Sequence, residues 1–332
     1  MTKILRVGDP HIKVSNLKDA EALMDFVIKT AQEREVNVIE FLGDLFHTHA
    51  VVRLEVMDFW RKYFDWIDAL SFIECRVLVG NHDQPGSREK EQIMNSLNVF
   101  EDNEWRTIIN KPMILKGIAY IPYMSDETAF LKASHDLHKE GATALLVAHQ
   151  TFTGATYENG FYAEDGIDPA LVAQDYIVSG HIHKRQEIGK CWYQGTPKWD
   201  TMSDANENKG IWIYEHNEDG SIASKEFIST AEVVTPIYKH TVNEGDEEPK
   251  LIEGAKNYIE FIGKSAWITK MKKKFKGKAQ IKARPTDRKS VKIDSKSLLS
   301  ISEYLLKDFE VIDGVDKNDV KQYLEKLNEP AA

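Results

Sequence analysis

Five short apolar runs, at residues 4–7, 36–42, 75–79, 144–148 and 176–179, each stop at a cluster of Gly, Asp, Asn or His. Runs of this length, separated by amphipathic stretches, read as buried strands joined by crossover helices. An α/β fold follows, and such folds bind ligands beyond the carboxyl ends of their strands. Between the first two runs, Leu23, Phe26, Val27, Thr30 and Ala31 recur at helical spacing, as in a helix that covers a sheet. Residues 53–70 carry two adjacent stripes, Met57, Trp60, Phe64 and Ile67 beside Phe59, Tyr63, Trp66 and Leu70. This apolar arc is wider than one core contact needs. One stripe is therefore expected in the core and the other against a second copy of the chain.

The clusters after the runs are rich in potential metal ligands. Asp9 and His11 lie in Gly8-Asp9-Pro10-His11, Asp44 and His47 in Gly43-Asp44-Leu45-Phe46-His47, and Asn81, His82 and Asp83 in Gly80-Asn81-His82-Asp83. His149 follows the fourth run and Gly180-His181-Ile182-His183 the fifth. Taken singly, such a residue is more often a turn former or a cap than a ligand. Five clusters converging at one sheet edge are different, because each unpaired buried polar group costs about 1–3 kcal/mol. A nitrogen and oxygen set without thiolate suits octahedral manganese or iron better than structural zinc. Two such ions can clamp a phosphodiester and acidify a water between them. Asp44, in the middle cluster, is the natural carboxylate to bridge them.

The order Asp-x-His, Gly-Asp-x-x-His, Gly-Asn-His-Asp, His, Gly-His-x-His resembles the calcineurin-like metallophosphoesterases over about residues 4–200. The resemblance implies a four-layer αββα sandwich and two divalent ions. It implies that Asp9, His11, Asp44 and His183 hold one ion and that Asp44, Asn81, His149 and His181 hold the other. It further implies that His82, paired with Asp83, protonates or stabilises the leaving oxygen. Within the superfamily, Gly43-Asp44-Leu45-Phe46-His47 looks like the SbcD-type nucleases of double-strand-break repair. Protein serine/threonine phosphatases carry an Asp-Arg pair where this chain has Phe46 and His47. His47 is then expected to position the substrate phosphate or its nucleotide; otherwise it is a solvent-facing loop residue beside His49.

Charge supports a nucleic-acid substrate only locally. The formal net charge is −10, yet residues 264–292 hold twelve Lys and Arg against one acid, Asp287. Lys270, Lys272, Lys273, Lys274, Lys276 and Lys278 are the densest part of this patch and the candidate DNA contacts. The resulting organisation is a phosphoesterase domain at 1–234, a basic capping domain at 235–292 and a helical tail at 293–332, the tail carrying Leu298, Ile301, Leu305 and Phe309 and then Val320, Tyr323, Leu324 and Leu327. SbcD-type nucleases are homodimers that work with a coiled-coil ATPase of the SbcC type, which the tail would grip. A stand-alone phosphodiesterase of a small or cyclic nucleotide is the competing enzyme reading, and a scaffold on a decayed fold the non-enzymatic one. No motif ligand is missing, which argues against decay.

Nothing at the N-terminus resembles a secretory signal, and no stretch nears the roughly 18 apolar residues of a membrane span. A cytoplasmic location is expected. The two cysteines, Cys75 and Cys191, stand far apart and outside any Cys-x-x-Cys pattern, so both are expected as buried thiols.

Overall fold

The computed structural model describes residues 1–49, 51–85, 94–100 and 103–287. The chain opens with β1 (Thr2–Val7), crosses through α1 (Leu17–Glu33) to β2 (Val38–Phe41) and through α2 (Leu54–Ala69) to β3 (Glu74–Leu78), then reaches β4 (Arg106–Ile109). These four strands are parallel neighbours. A second sheet holds β5 (Met113–Leu115), β6 (Ile118–Ile121), β7 (Leu145–His149), β8 (Tyr176–Gly180), β9 (Gln186–Ile188) and β10 (Cys191–Tyr193), with α3 (Glu127–Lys139) between β6 and β7. The hairpin β11 (Gly210–His216) and β12 (Ile222–Ser229) then returns to the first sheet, antiparallel to β1.

The layers follow from which faces are apolar. Ile4, Val38 and Leu42 of the first sheet meet Ile118, Tyr120, Val147 and Val178 of the second in one buried cluster, so the sheets lie face to face. Leu23 and Val27 of α1 and Trp60 and Phe64 of α2 cover the outer face of the first sheet. Phe130 and Leu137 of α3 cover the outer face of the second. The result is a mixed α/β sandwich of the αββα kind. The five motif-bearing strands do not share one sheet: β1, β2 and β3 belong to the first, β7 and β8 to the second.

A further expectation changes. Phe59 and Tyr63, assigned to a stripe left for a second copy, are buried within the chain. The Tyr63 hydroxyl donates to Asp25 of α1 at 2.9 Å, because α1 packs beside α2 and consumes most of the extra apolar arc. Trp66 remains 41% exposed. The basic segment is folded. It forms α4 (Ser265–Phe275) between β14 (Lys256–Gly263) and β15 (Gln280–Pro285), which pair with β13 (Ile237–Asn243) in a parallel three-stranded sheet. Ile268, Met271 and Phe275 face Val242, Ile259 and Phe261 in a core of their own, which turns all six lysines outward. The tail at 293–332, and residues 288–292 before it, lie outside the described residues. Cys75 and Cys191 are buried free thiols, and among the described residues no helix is long and apolar enough to cross a membrane.

A row of charges lies buried on the first sheet. Strand register places Arg6 beside Glu40 and Glu40 beside Arg76, and all three are fully buried. Arg6 Nε donates to one Glu40 oxygen and the Tyr120 hydroxyl of the second sheet donates to the other at 2.6 Å. Arg76 donates to the Tyr120 oxygen at 2.8 Å, so one phenol ties the two sheets together. Burial alone would push the Glu40 carboxyl up, but Arg6 and Arg76 override it and hold it down. Removing this carboxylate strands the buried Arg6 guanidinium, whereas Arg76 keeps Glu74 at 2.9 Å, so Glu40→Gln should lower unfolding stability at neutral pH by about 3–5 kcal/mol in urea denaturation. Because the folded carboxyl titrates below its unfolded value of about 4.3, the difference from wild type should be complete above that pH and shrink as pH falls through the folded value.

Candidate metal centre

Three of the candidate ligands sit on strained backbone. His11, Asp44 and His181 have φ of +44°, +51° and +83°, in the left-handed region that non-glycine residues avoid. Such strain costs about 1–3 kcal/mol per residue and persists only where surrounding bonds impose it. Here His11 N donates to the Asp44 carbonyl at 3.0 Å, and His181 N donates to Asp9 Oδ1 at 2.7 Å. Close approach needs glycine as well. A Cβ on Gly43 would lie 2.4 Å from His149 Nδ1, and one on Gly80 would lie 2.2 Å from Asp44 Oδ1.

Asp44 occupies the middle. Its Oδ2 lies 3.5 Å from His11 Nε2, and its Oδ1 lies 3.3 Å from His149 Nε2. On the first side His11 Nε2 stands 2.9 Å from His183 Nε2. On the second, Asn81 Oδ1 stands 2.9 Å from His149 Nε2 and 2.7 Å from His181 Nδ1. Asp9 is buried, and its Oδ2 has no hydrogen-bond partner among the described residues. The structure thus brings together all seven candidate ligands. One nitrogen of His82 also lies within 4.8 Å of ligand atoms of His11 and Asp44.

The donor set fits divalent cations. His149 Nδ1 donates to the Leu42 carbonyl at 2.7 Å, so in the neutral ring Nε2 carries a lone pair aimed at the Asn81 and Asp44 oxygens. Acceptor facing acceptor at these distances is repulsive unless a proton or a metal cation lies between them. In the bare chain the proton does this: burial would push His149 down, but Asp44 overrides it and the ring is pushed up to about 9. Burial and then His149 push His181 down to about 3, which keeps it neutral, as a ligand must be.

The calcineurin-like phosphoesterase profile matches residues 2–185. The chain belongs to that family. Its members are metal-dependent hydrolases of phosphoester bonds. Among relatives, this phosphoesterase is 27% identical over 231 residues to protein 244L of Invertebrate iridescent virus 6, named as a phosphoesterase, covering 65% of this chain and 77% of the viral one. It is 23% identical over 239 residues to Exonuclease subunit 1 of Enterobacteria phage T4, covering 64% of each. The chain thus spans just under two thirds of the phage protein. GAP50, the inner membrane complex anchor of Plasmodium, superposes at TM-score 0.42 with 12% identity over 70% of this chain and 85% of its own, which is too loose to carry an argument.

One expected pairing is absent from this phosphoesterase. Asp83 does not hold His82. Its two carboxylate oxygens accept from Phe46 N at 3.2 Å and Gly80 N at 2.9 Å, so it ties two ligand-bearing loops together. His82 Nδ1 instead donates to the His47 carbonyl at 2.7 Å. Burial and then Asp44 push the Asp83 carboxyl up to about 7, a structural consequence of its position. His47 is half-exposed, with its ring edge-on to His11 at 5.5 Å and its Nδ1 3.7 Å from Asp200 Oδ2.

Several residues at the site carried no sequence signal. Glu158 accepts from His183 N at 2.8 Å and lies 3.5 Å from its Nδ1. Asp200 gathers Lys13 at 2.9 Å, Lys198 at 3.2 Å and Asn16 at 3.3 Å, and Asn16 in turn donates to the His11 carbonyl at 3.0 Å. Their loops have no periodic pattern and no motif, so only the fold could find them. As Asp44 faces both donor groups, Asp44→Asn should remove both strongly held divalent ions at once in elemental analysis after dialysis, where an Asn81 variant should spare one. Retention of two tightly held ions would refute the central placement.

Proposed function

We propose that this phosphoesterase is a manganese-dependent DNA exonuclease and endonuclease, the nuclease subunit of an SbcC–SbcD-type complex in double-strand-break processing. The observation that carries the reading is the Asp44 carboxylate, each oxygen of which faces a separate buried group of nitrogen and oxygen donors. Asp9, His11, Asp44 and His183 would hold one ion, and Asp44, Asn81, His149 and His181 the other. Bound there, the ions would neutralise phosphate charge and acidify the attacking water.

The protein's own part is to orient and to move a proton. With Nδ1 committed to the His47 carbonyl, His82 has Nε2 left to serve the leaving oxygen as general acid. His47, beside both His11 and His82, would contact the phosphate or its nucleotide. A DNA substrate is supported by the similarity to a phage exonuclease subunit and by the outward lysines of α4. Lys274 pairs with Glu248, while the others face solvent.

The substrate assignment is tested by incubating the protein with manganese and a linear duplex, beside bis(p-nitrophenyl) phosphate; cleavage of the small ester alone favours a small-nucleotide phosphodiesterase. If about four lysines neutralise phosphates, their replacement should flatten the plot of log K against log[salt] by about 3.6. Lys272, Lys273, Lys274 and Lys276 all changed to Gln should show that flattening with small-ester hydrolysis intact, and an unchanged slope counts against DNA contact there.

A cytoplasmic homodimer bound to a coiled-coil ATPase completes the proposal. Leu54, 82% exposed, lines a groove with Met57 and Val99, and Trp66 stands exposed on the other stripe of α2; a second copy would cover this helix. Trp66→Glu should yield a folded monomer by sedimentation, and an unchanged dimer would move the interface elsewhere.

A further inference from the structure

We propose that His49 is a positioning residue whose imidazole stacks on His82 and holds that ring toward the leaving oxygen. The inference rests on the phosphoesterase reading, in which His82 acts on the leaving group, and adds a residue that no motif marks. His82 is held at two points: its main-chain N–H donates to Asp44 Oδ1 at 2.8 Å, and its Nδ1 donates to the His47 carbonyl at 2.7 Å. A single ring–carbonyl bond leaves the imidazole free to swing about that bond. Closing a face of the ring removes that freedom.

His49 closes it. The two rings lie nearly parallel, with centroids 4.0 Å apart and planes 27° from each other. The other neighbours approach differently: His11 meets His82 edge-on at 4.7 Å, and His47 lies 6.2 Å away. His49 Nδ1 is buried without a hydrogen bond among the described residues, so its contact is made by the face of the ring and not by a polar atom. The same short loop supplies both restraints, the carbonyl of His47 and the ring of His49 two residues on. Asp83, bonded to Phe46 N at 3.2 Å, anchors that loop to the residue following His82. The stack therefore belongs to one device that fixes the tilt of His82 relative to the donor groups.

General acid catalysis contributes most when the departing oxygen is a poor leaving group. Methyl p-nitrophenyl phosphate needs little protonation to release its phenol, and methyl phenyl phosphate needs more. With manganese, His49→Ala should lose about 10-fold more turnover on the phenyl ester than on the p-nitrophenyl ester, since a misplaced acid forfeits part of its contribution. His49→Phe keeps a flat ring and should restore most of that ratio. A second readout needs neither metal nor turnover. Carbethoxylation of His82 by diethyl pyrocarbonate, followed by peptide mass spectrometry on metal-free protein, should be several-fold faster in His49→Ala and near the wild-type rate in His49→Phe. Equal losses on both esters in His49→Ala, or His82 labelled at the wild-type rate in that variant, overturn the inference. His82→Gln separates it from its premise. If that variant slows both esters alike, the leaving-group role of His82 fails and takes the purpose of the stack with it. A steep His82→Gln with a flat His49→Ala overturns the role of His49 alone.

Discussion

Asp44 is where the two halves of the sandwich answer to each other. It leaves β2 of the first sheet with φ at +51°, yet one of its oxygens faces His149 from β7 of the second. That contact exists only because Gly43 and Gly80 carry no side chain; a Cβ at either would collide with His149 or Asp44 itself. The sheets must therefore pack closely and in one register at this end, and the cluster around Ile4, Val38, Tyr120, Val147 and Val178 sets that packing. The Arg6, Glu40, Arg76 row acts in the same sense. A buried charge row is weak evidence for net stability, but its geometry tolerates no slip of one strand against its neighbour.

The parts of this arrangement that could be read from the sequence are those whose signal is local. β1, β2, β3, β7 and β8 are largely buried on both faces, so they appear as short, mostly apolar runs, interrupted in the first three by Arg6, Glu40 and Arg76, and their ends carry the ligand motifs. The hairpin of β11 and β12 is equally local: Asn217-Glu218-Asp219-Gly220 is a turn sequence between its strands, and Gly220 N donates to the Asn217 carbonyl at 3.1 Å. By contrast, β5, β9 and β10 have three residues each, too few for any period to emerge. The charged row was hidden for another reason. Arg6, Glu40 and Arg76 look like surface residues until strand register sets them side by side.

The errors are as physical as the successes. Asp83 follows His82 directly, and the resemblance implied a pair, but successive side chains on a turn point apart, and the carboxylate found two backbone N–H groups instead. The double stripe of α2 was read against one sheet face alone. α1 supplies a second surface, and Tyr63 spends its hydroxyl on Asp25 there. Within the basic capping domain the sequence revealed no particular element, because lysines outnumber the apolar residues. Ile268, Met271 and Phe275 nonetheless keep helical spacing and bury one face, as the long lysine stems permit.

The strain at the centre and its readiness for metal have one origin. To hold His11, Asp44 and His181 in left-handed conformations, the chain uses His11 N on the Asp44 carbonyl, His82 N on Asp44 Oδ1 and His181 N on Asp9 Oδ1. These bonds commit one oxygen of each carboxylate to the backbone and so fix the direction of the other. Asp9 Oδ2 is left buried without a hydrogen-bond partner among the described residues, and Asp44 Oδ2 is left toward His11. A relaxed backbone would let both carboxylates turn outward to water. The cost of order about 1–3 kcal/mol per strained residue is thus offset only when something cationic accepts the lone pairs that the strain has aimed inward.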